Sequence, residues 1–180
     1  MQQKRLLLTS LFSALIIVGA FLRFPLPPVP ITLQTLFVLL AGFLGGPSIA
    51  LGSTAIYLLL GAIGLPIFSS GGGLGLFLGP TGGFLFGMLP MAFLSGLAST
   101  YPNKGEHPRK YTLLCVLFGL GATVVLYLVG IPFLKYVANL SWKVALQVGM
   151  VPFILGDLLK IIIAAHLARM FHGRIEQFLG

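Results

Sequence analysis

The chain has 180 residues, 57 % of them hydrophobic and only 8 % charged, with a mean hydropathy of +1.05 and a formal net charge of +8. A soluble domain carries about 25 % charged residues; with three acidic residues in all (Glu106, Asp157 and Glu176), this chain has too little polarity to cover a water-facing surface and too much apolar character to be disordered. Its basic residues stand singly or in pairs between apolar segments, with no stripe of interleaved aromatics, which argues against a nucleic-acid surface and reads as membrane topology.

Apolar windows near the ~20 residues that a spanning helix requires predict six transmembrane helices in one all-α domain covering residues 1–180. The first, Leu6 to Leu22, follows Lys4-Arg5 and lacks an A-x-A-like cleavage site, so it is expected to be a retained helix and not a signal peptide. Within it Ser10 and Ala14 form a small-xxx-small step of the kind that lets membrane helices approach closely. The second, Ile31 to Leu44, is short, and is entered from a segment punctuated by Pro25, Pro27, Pro28 and Pro30, where an extended or irregular backbone is expected. Thr32, Gln34 and Thr35 bring polar groups to its start. The third predicted helix runs from Ser48 to Gly64.

The stretch "LPIFSSGGGLGLFLGPTGG", Leu65 to Gly83, is too rich in glycine for a helix and too apolar for a solvated linker. Irregular backbone near a membrane survives where it packs on protein or lines a cavity, so this stretch is expected to be a lid or pocket wall, the competing reading being a flexible turn. The fourth helix is predicted over Gly82 to Leu97. The most polar stretch, "YPNKGEHPRKY" from Tyr101 to Tyr111, leads into a fifth at Tyr111 to Gly130, which contains the single cysteine, Cys115, expected to be a small core residue.

The sixth helix, Val144 to Ala168, carries Asp157 and Lys160 near its middle. A charge at that depth costs about 2.5–3.5 kcal/mol on translocon scales. Three residues apart, the two lie on one face, together with Gly149, Phe153, Gly156 and Ala164, a strip of small residues beside one aromatic that leaves room for a ligand. The competing reading is a mutually satisfied ion pair that fixes helix packing. Lysine and arginine counts set the orientation: Lys4, Arg5, Lys104, Arg109, Lys110, Arg169 and Arg174 on one side, Arg23, Lys135 and Lys143 on the other. Both termini are therefore expected in the cytoplasm, with the glycine-rich loop outside.

No G-x-x-x-x-G-K-[ST] phosphate loop occurs, and "GPTGGFLFG" (Gly79 to Gly87) lacks the lysine that reaches a nucleotide phosphate. His107, His166 and His172 show no metal-binding spacing, and no serine has a credible base, so the chain is expected to be neither an ATPase nor an enzyme.

Taken together, "PVPITLQTLFVLLAG" (Pro28 to Gly42), "YLLLGAIGLPIFSSGGG" (Tyr57 to Gly73), "GPTGGFLFG" and "GDLLK" (Gly156 to Lys160) resemble, in order and spacing, the BioY family, the biotin-specific substrate-binding subunits (S components) of energy-coupling factor (ECF) transporters. The resemblance implies a six-helix protein of the bacterial or archaeal cell membrane that captures biotin from outside. It also implies assembly with a transmembrane coupling subunit and two ATPases of the ABC type, and needs no cofactor besides the transported biotin. The implied ligand-binding residues are Asp157, accepting from the ureido N–H groups, Lys160, approaching the ureido carbonyl or completing the local network, and Gln34, Thr35, Ser69, Ser70, Gly71, Thr81 and Phe153. The patch at Ser10 and Ala14 is the implied docking surface. Two departures from the family pattern are Ser10, where alanine is common, and Phe84, where tyrosine is frequent. An S component for another vitamin, such as thiamine or riboflavin, or a small membrane enzyme are the alternatives.

Overall fold

The computed structural model describes residues 2–101 and 107–180; Lys104 and Glu106 of the polar loop lie outside the described residues. The first helix, α1 (Gln2–Phe21), ends where the proline-rich segment begins. That segment forms a narrow ribbon in which β1 (Arg23–Phe24) pairs antiparallel with β2 (Ile31–Thr32), Arg23 opposite Thr32. Prolines between the two strands cannot extend a helix and hold the residues before them extended.

Helix α2 (Gln34–Ala62) joins the second and third predicted segments, but it is not straight. Gly46 has φ 81° and ψ 179°, outside helical space and in a region that glycine alone enters freely, and Pro47 follows it. The side chain of Gln34 donates to the hydroxyl of Tyr57, 23 residues away. A straight helix would set those residues about 34 Å apart, so α2 folds back at Gly46 into two limbs, 34–45 and 47–62.

After the glycine-rich stretch, which contains a short 3-10 turn (Leu74–Leu78) and an isolated bridge between Phe68 and Gly71, come α3 (Gly82–Leu97), α4 (Pro108–Val137), α5 (Trp142–Gly149) and α6 (Ile154–Leu179). The fifth predicted helix therefore extends seven residues further, to Val137. The sixth requires correction. The single helix expected over Val144 to Ala168 is two pieces bent by 44°. Pro152 supplies the cause, since its ring removes an N–H and clashes with the preceding turn. Asp157 consequently sits in the first turn of α6 and not at mid-helix, and Gly149 belongs to α5, where it packs on Leu134. The strip of small residues read onto one continuous face is thus divided between two elements.

Among the described residues, four helices are long and apolar enough to cross a membrane, five if the α5–α6 pair counts as one span. Large apolar side chains such as Leu128, Leu155 and Ile162 remain exposed on the flanks, as a lipid-facing surface requires. The core lies between α1, α2, α3, α4 and α6 around Ile16, Phe43, Tyr57, Met91, Tyr111 and Ile161. Lys4 stacks on the ring of Phe178 at 5.9 Å, and Tyr111 meets His172 at 5.4 Å between ring centres. The start of α1, the start of α4 and the end of α6 therefore share one end of the bundle. At the other end, Lys135 lies 5.2 Å from the ring of Trp142.

Candidate functional site

A mostly apolar cavity opens at the end of the bundle opposite the termini, between the β2–α2 junction, the glycine-rich stretch, the first turns of α3 and α6, and the second half of α4. Its floor is ionic. Asp157 Oδ1 and Lys160 Nζ are 2.8 Å apart, with side chains only 10 % and 8 % exposed. The other carboxylate oxygen, Oδ2, accepts from the Tyr127 hydroxyl on α4, and Lys160 donates to Thr35 Oγ1 on α2 at 3.1 Å. Two of the three ammonium donors are thereby engaged, leaving one N–H directed to no protein acceptor among the described residues.

The break before α6 eases the burial of these charges. In the first turn of a helix a carboxylate faces the positive end of the backbone dipole, a contribution of about 0.3–1 kcal/mol at exposed sites and more when partly buried. The ion pair and its two hydrogen-bonding neighbours supply the rest of what desolvation removes. Pro152 therefore has a direct consequence for the site, because it brings a helix N-terminus to the carboxylate.

A second polar chain runs along the adjacent wall. Thr32 Oγ1 donates to Gln34 Oε1 at 2.9 Å, and Gln34 Nε2 donates to the Tyr57 hydroxyl. The Tyr57 ring meets Phe68 edge-on, with centres 5.2 Å apart and planes at 75°. Phe68 in turn lies so close over Gly61 that a Cβ there would come within 2.0 Å of its ring. Two backbone hydrogen bonds, 2.8 and 3.1 Å, tie Phe68 to Gly71 and present Ser69 and Ser70 at the rim between them.

Of the ligand-binding residues expected from the sequence, the structure brings Asp157, Lys160, Gln34, Thr35, Ser69, Ser70, Thr81 and Phe153 to the cavity wall. Gly71 is off the wall and closes the turn that carries the two serines. Phe84 lines the cavity with an apolar ring, beside Leu85 and Met88. Sequence reasoning missed Tyr127 and Tyr57. The only signal was a hydroxyl-bearing ring inside an otherwise apolar span, and nothing local links Tyr127 to an aspartate 30 positions later. Ser10 and Ala14 lie on the outward face of α1, exposed with Leu7, Leu11 and Val18. Among the described residues, no group of three or more His, Cys, Asp or Glu side chains could hold a metal ion.

The sequence matches the BioY family over residues 1–177. The chain belongs to the BioY family. It is 40 % identical over 166 residues to the biotin transporter BioY of Thermotoga maritima, covering 92 % of this chain and 94 % of that protein. It is 42 % identical over 176 residues to the biotin transporter BioY of Rhizobium etli, covering 94 % and 93 %. Among solved structures, the crystal structure of the S-component for biotin from an ECF-type ABC transporter superposes on it with a TM-score of 0.81 at 30 % identity, covering 96 % of this chain and 92 % of that one. This BioY-family chain is thus a multi-pass membrane protein with an S-component fold, and its relatives are transporters, not enzymes.

Proposed function

We propose that this chain captures biotin at the outer face of the bacterial or archaeal cell membrane, as the S component of an ECF-type importer. The observation that carries the proposal is the four-residue network Tyr127–Asp157–Lys160–Thr35 at the floor of an apolar cavity, in a chain of the BioY family. Biotin has the matching chemistry. Its ureido ring offers two N–H donors and one carbonyl, and its bicycle and valeryl chain are apolar. Asp157 accepts from the ureido N–H groups, and the remaining N–H of Lys160 reaches the ureido carbonyl. Charge-assisted bonds of this kind are strong in a dry cavity.

In this reading the bundle crosses the membrane six times, the two limbs of α2 counting separately and α5–α6 as one broken span, with both termini cytoplasmic. The basic end holding Lys4, Arg109, Lys110 and Arg174 then faces inward, as the positive-inside rule requires. The glycine-rich stretch closes over the ligand. The exposed face of α1 around Ser10 and Ala14 docks on a transmembrane coupling subunit, which two ABC ATPases drive. A thermal-shift comparison of the purified protein with biotin, thiamine and riboflavin tests the assignment: biotin alone is expected to raise Tm, and a shift with either other vitamin but not with biotin overturns it.

A further inference from the structure

The cavity turns its formal charges toward each other. Among the described residues, Asp157 and Lys160 are the only charged side chains on its wall, and at 2.8 Å they leave that wall with no net charge. The rim adds none. No Asp, Glu, Lys, Arg or His occurs between Phe24 and Asn103, the stretch that supplies the proline segment, both limbs of α2 and the whole glycine-rich loop. The rim offers hydroxyls instead, from Ser69, Ser70 and Thr81. A carboxylate enclosed there would lack a counter-ion, which low-dielectric surroundings penalise heavily.

Biotin carries its carboxylate at the end of the valeryl chain, away from the ureido ring. With the ring on the ionic floor, that carboxylate would extend toward the rim, whose lining supplies hydroxyls and no charged side chain. Resting on the biotin reading above, we infer that this site selects by the ureido bicycle alone and takes neutral-tailed biotin derivatives, esters and primary amides, as well as the free acid. Among the described basic residues, Arg23 is the one paired across the ribbon to a cavity-lining residue. Arg23 is exposed and pairs in register with Thr32, a cavity-lining residue, and side chains paired across an antiparallel ribbon project to the same face.

Calorimetric titration of the full chain in detergent with biotin, biotin methyl ester and biotinamide, repeated on Arg23→Gln, tests the inference. All three ligands are expected to bind the unsubstituted protein within tenfold of one another, and Arg23→Gln to leave each affinity unchanged. Removing a charge-assisted hydrogen bond weakens binding by about tenfold or more. A loss of that size for either neutral ligand overturns the inference, as does an Arg23→Gln variant that weakens biotin alone. If biotin itself fails to bind, the reading of the site as a biotin site falls, and this inference with it.

Discussion

The Tyr127 hydroxyl on α4 and the Asp157 carboxylate on α6 share a hydrogen bond across the floor of the cavity, while the carboxylate's second oxygen holds Lys160 at 2.8 Å. Removing the hydroxyl strips a buried charge of one of its two partners. Tyr127→Phe is therefore expected to destabilise the unliganded protein by about 1–3 kcal/mol, seen as a lower Tm in detergent. Biotin is expected to raise Tm by more in this variant than in the parent, because a ureido N–H satisfies the vacated oxygen. An unchanged Tm for the unliganded protein would show that the bond contributes nothing.

The ion pair itself separates structure from recognition. Lys160→Ala leaves Asp157 buried and uncompensated, a change expected to destabilise by about 3–5 kcal/mol. Replacing both charges, Asp157→Asn with Lys160→Met, is expected to recover most of that stability, since a neutral pair of similar size needs no desolvation. Biotin binding is expected to remain lost. A double variant that folds and still binds biotin would reduce the pair to a packing device, the competing reading that the sequence leaves open.

How far the sequence reveals this site depends on what each signal encodes locally. The i,i+3 spacing places Asp157 and Lys160 on one face whether or not the helix around them is straight, so their pairing is legible without a structure. Their depth is not. Hydropathy summed over Val144 to Ala168 passes over Pro152, whose backbone effect places the break and sets Asp157 at a helix N-terminus. The reversal at Gly46 and Pro47 is written in the residue types there, and the two predicted segments on either side correspond to the two limbs. Tyr127 is invisible for a different reason: its partner lies 30 residues away on another helix, and only the packing of α4 on α6 brings them together.

Phe68 links the loop to the polar wall, being set over Gly61 and edge-on to Tyr57. Gly61→Ala puts a methyl group within 2.0 Å of the ring position and must displace it. The expected outcome is faster biotin release, by about tenfold or more if ~1.4 kcal/mol of loop anchoring is lost. Thiol labelling of a Ser70→Cys reporter is expected to be slowed by biotin in the parent and to be nearly insensitive to it in the Gly61→Ala background. Labelling that ignores biotin in the parent too would dismiss the loop as a lid.

On the outward face of α1, Ser10 and Ala14 present small side chains beside exposed Leu7, Leu11 and Val18. Small residues let helices approach closely, so Ser10→Trp or Ala14→Trp is expected to abolish biotin uptake in cells that supply the coupling subunit and ATPases. Biotin affinity of the isolated protein is expected to stay within about twofold, because neither residue lines the cavity and surface substitutions have small effects. Unimpaired uptake by both variants would move the docking surface elsewhere.

If a ureido head completes the solvation of two opposite charges at the start of α6, giving up one of those charges must weaken its binding, and Asp157→Asn does so while asparagine keeps the shape of the side chain and loses only the charge and one acceptor. Isothermal titration of biotin into the purified parent and variant is expected to show tight binding for the parent and a loss of about tenfold to a hundredfold or more for the variant. Equal affinities in a folded variant would show that the Asp157 carboxylate does not hold the ureido head.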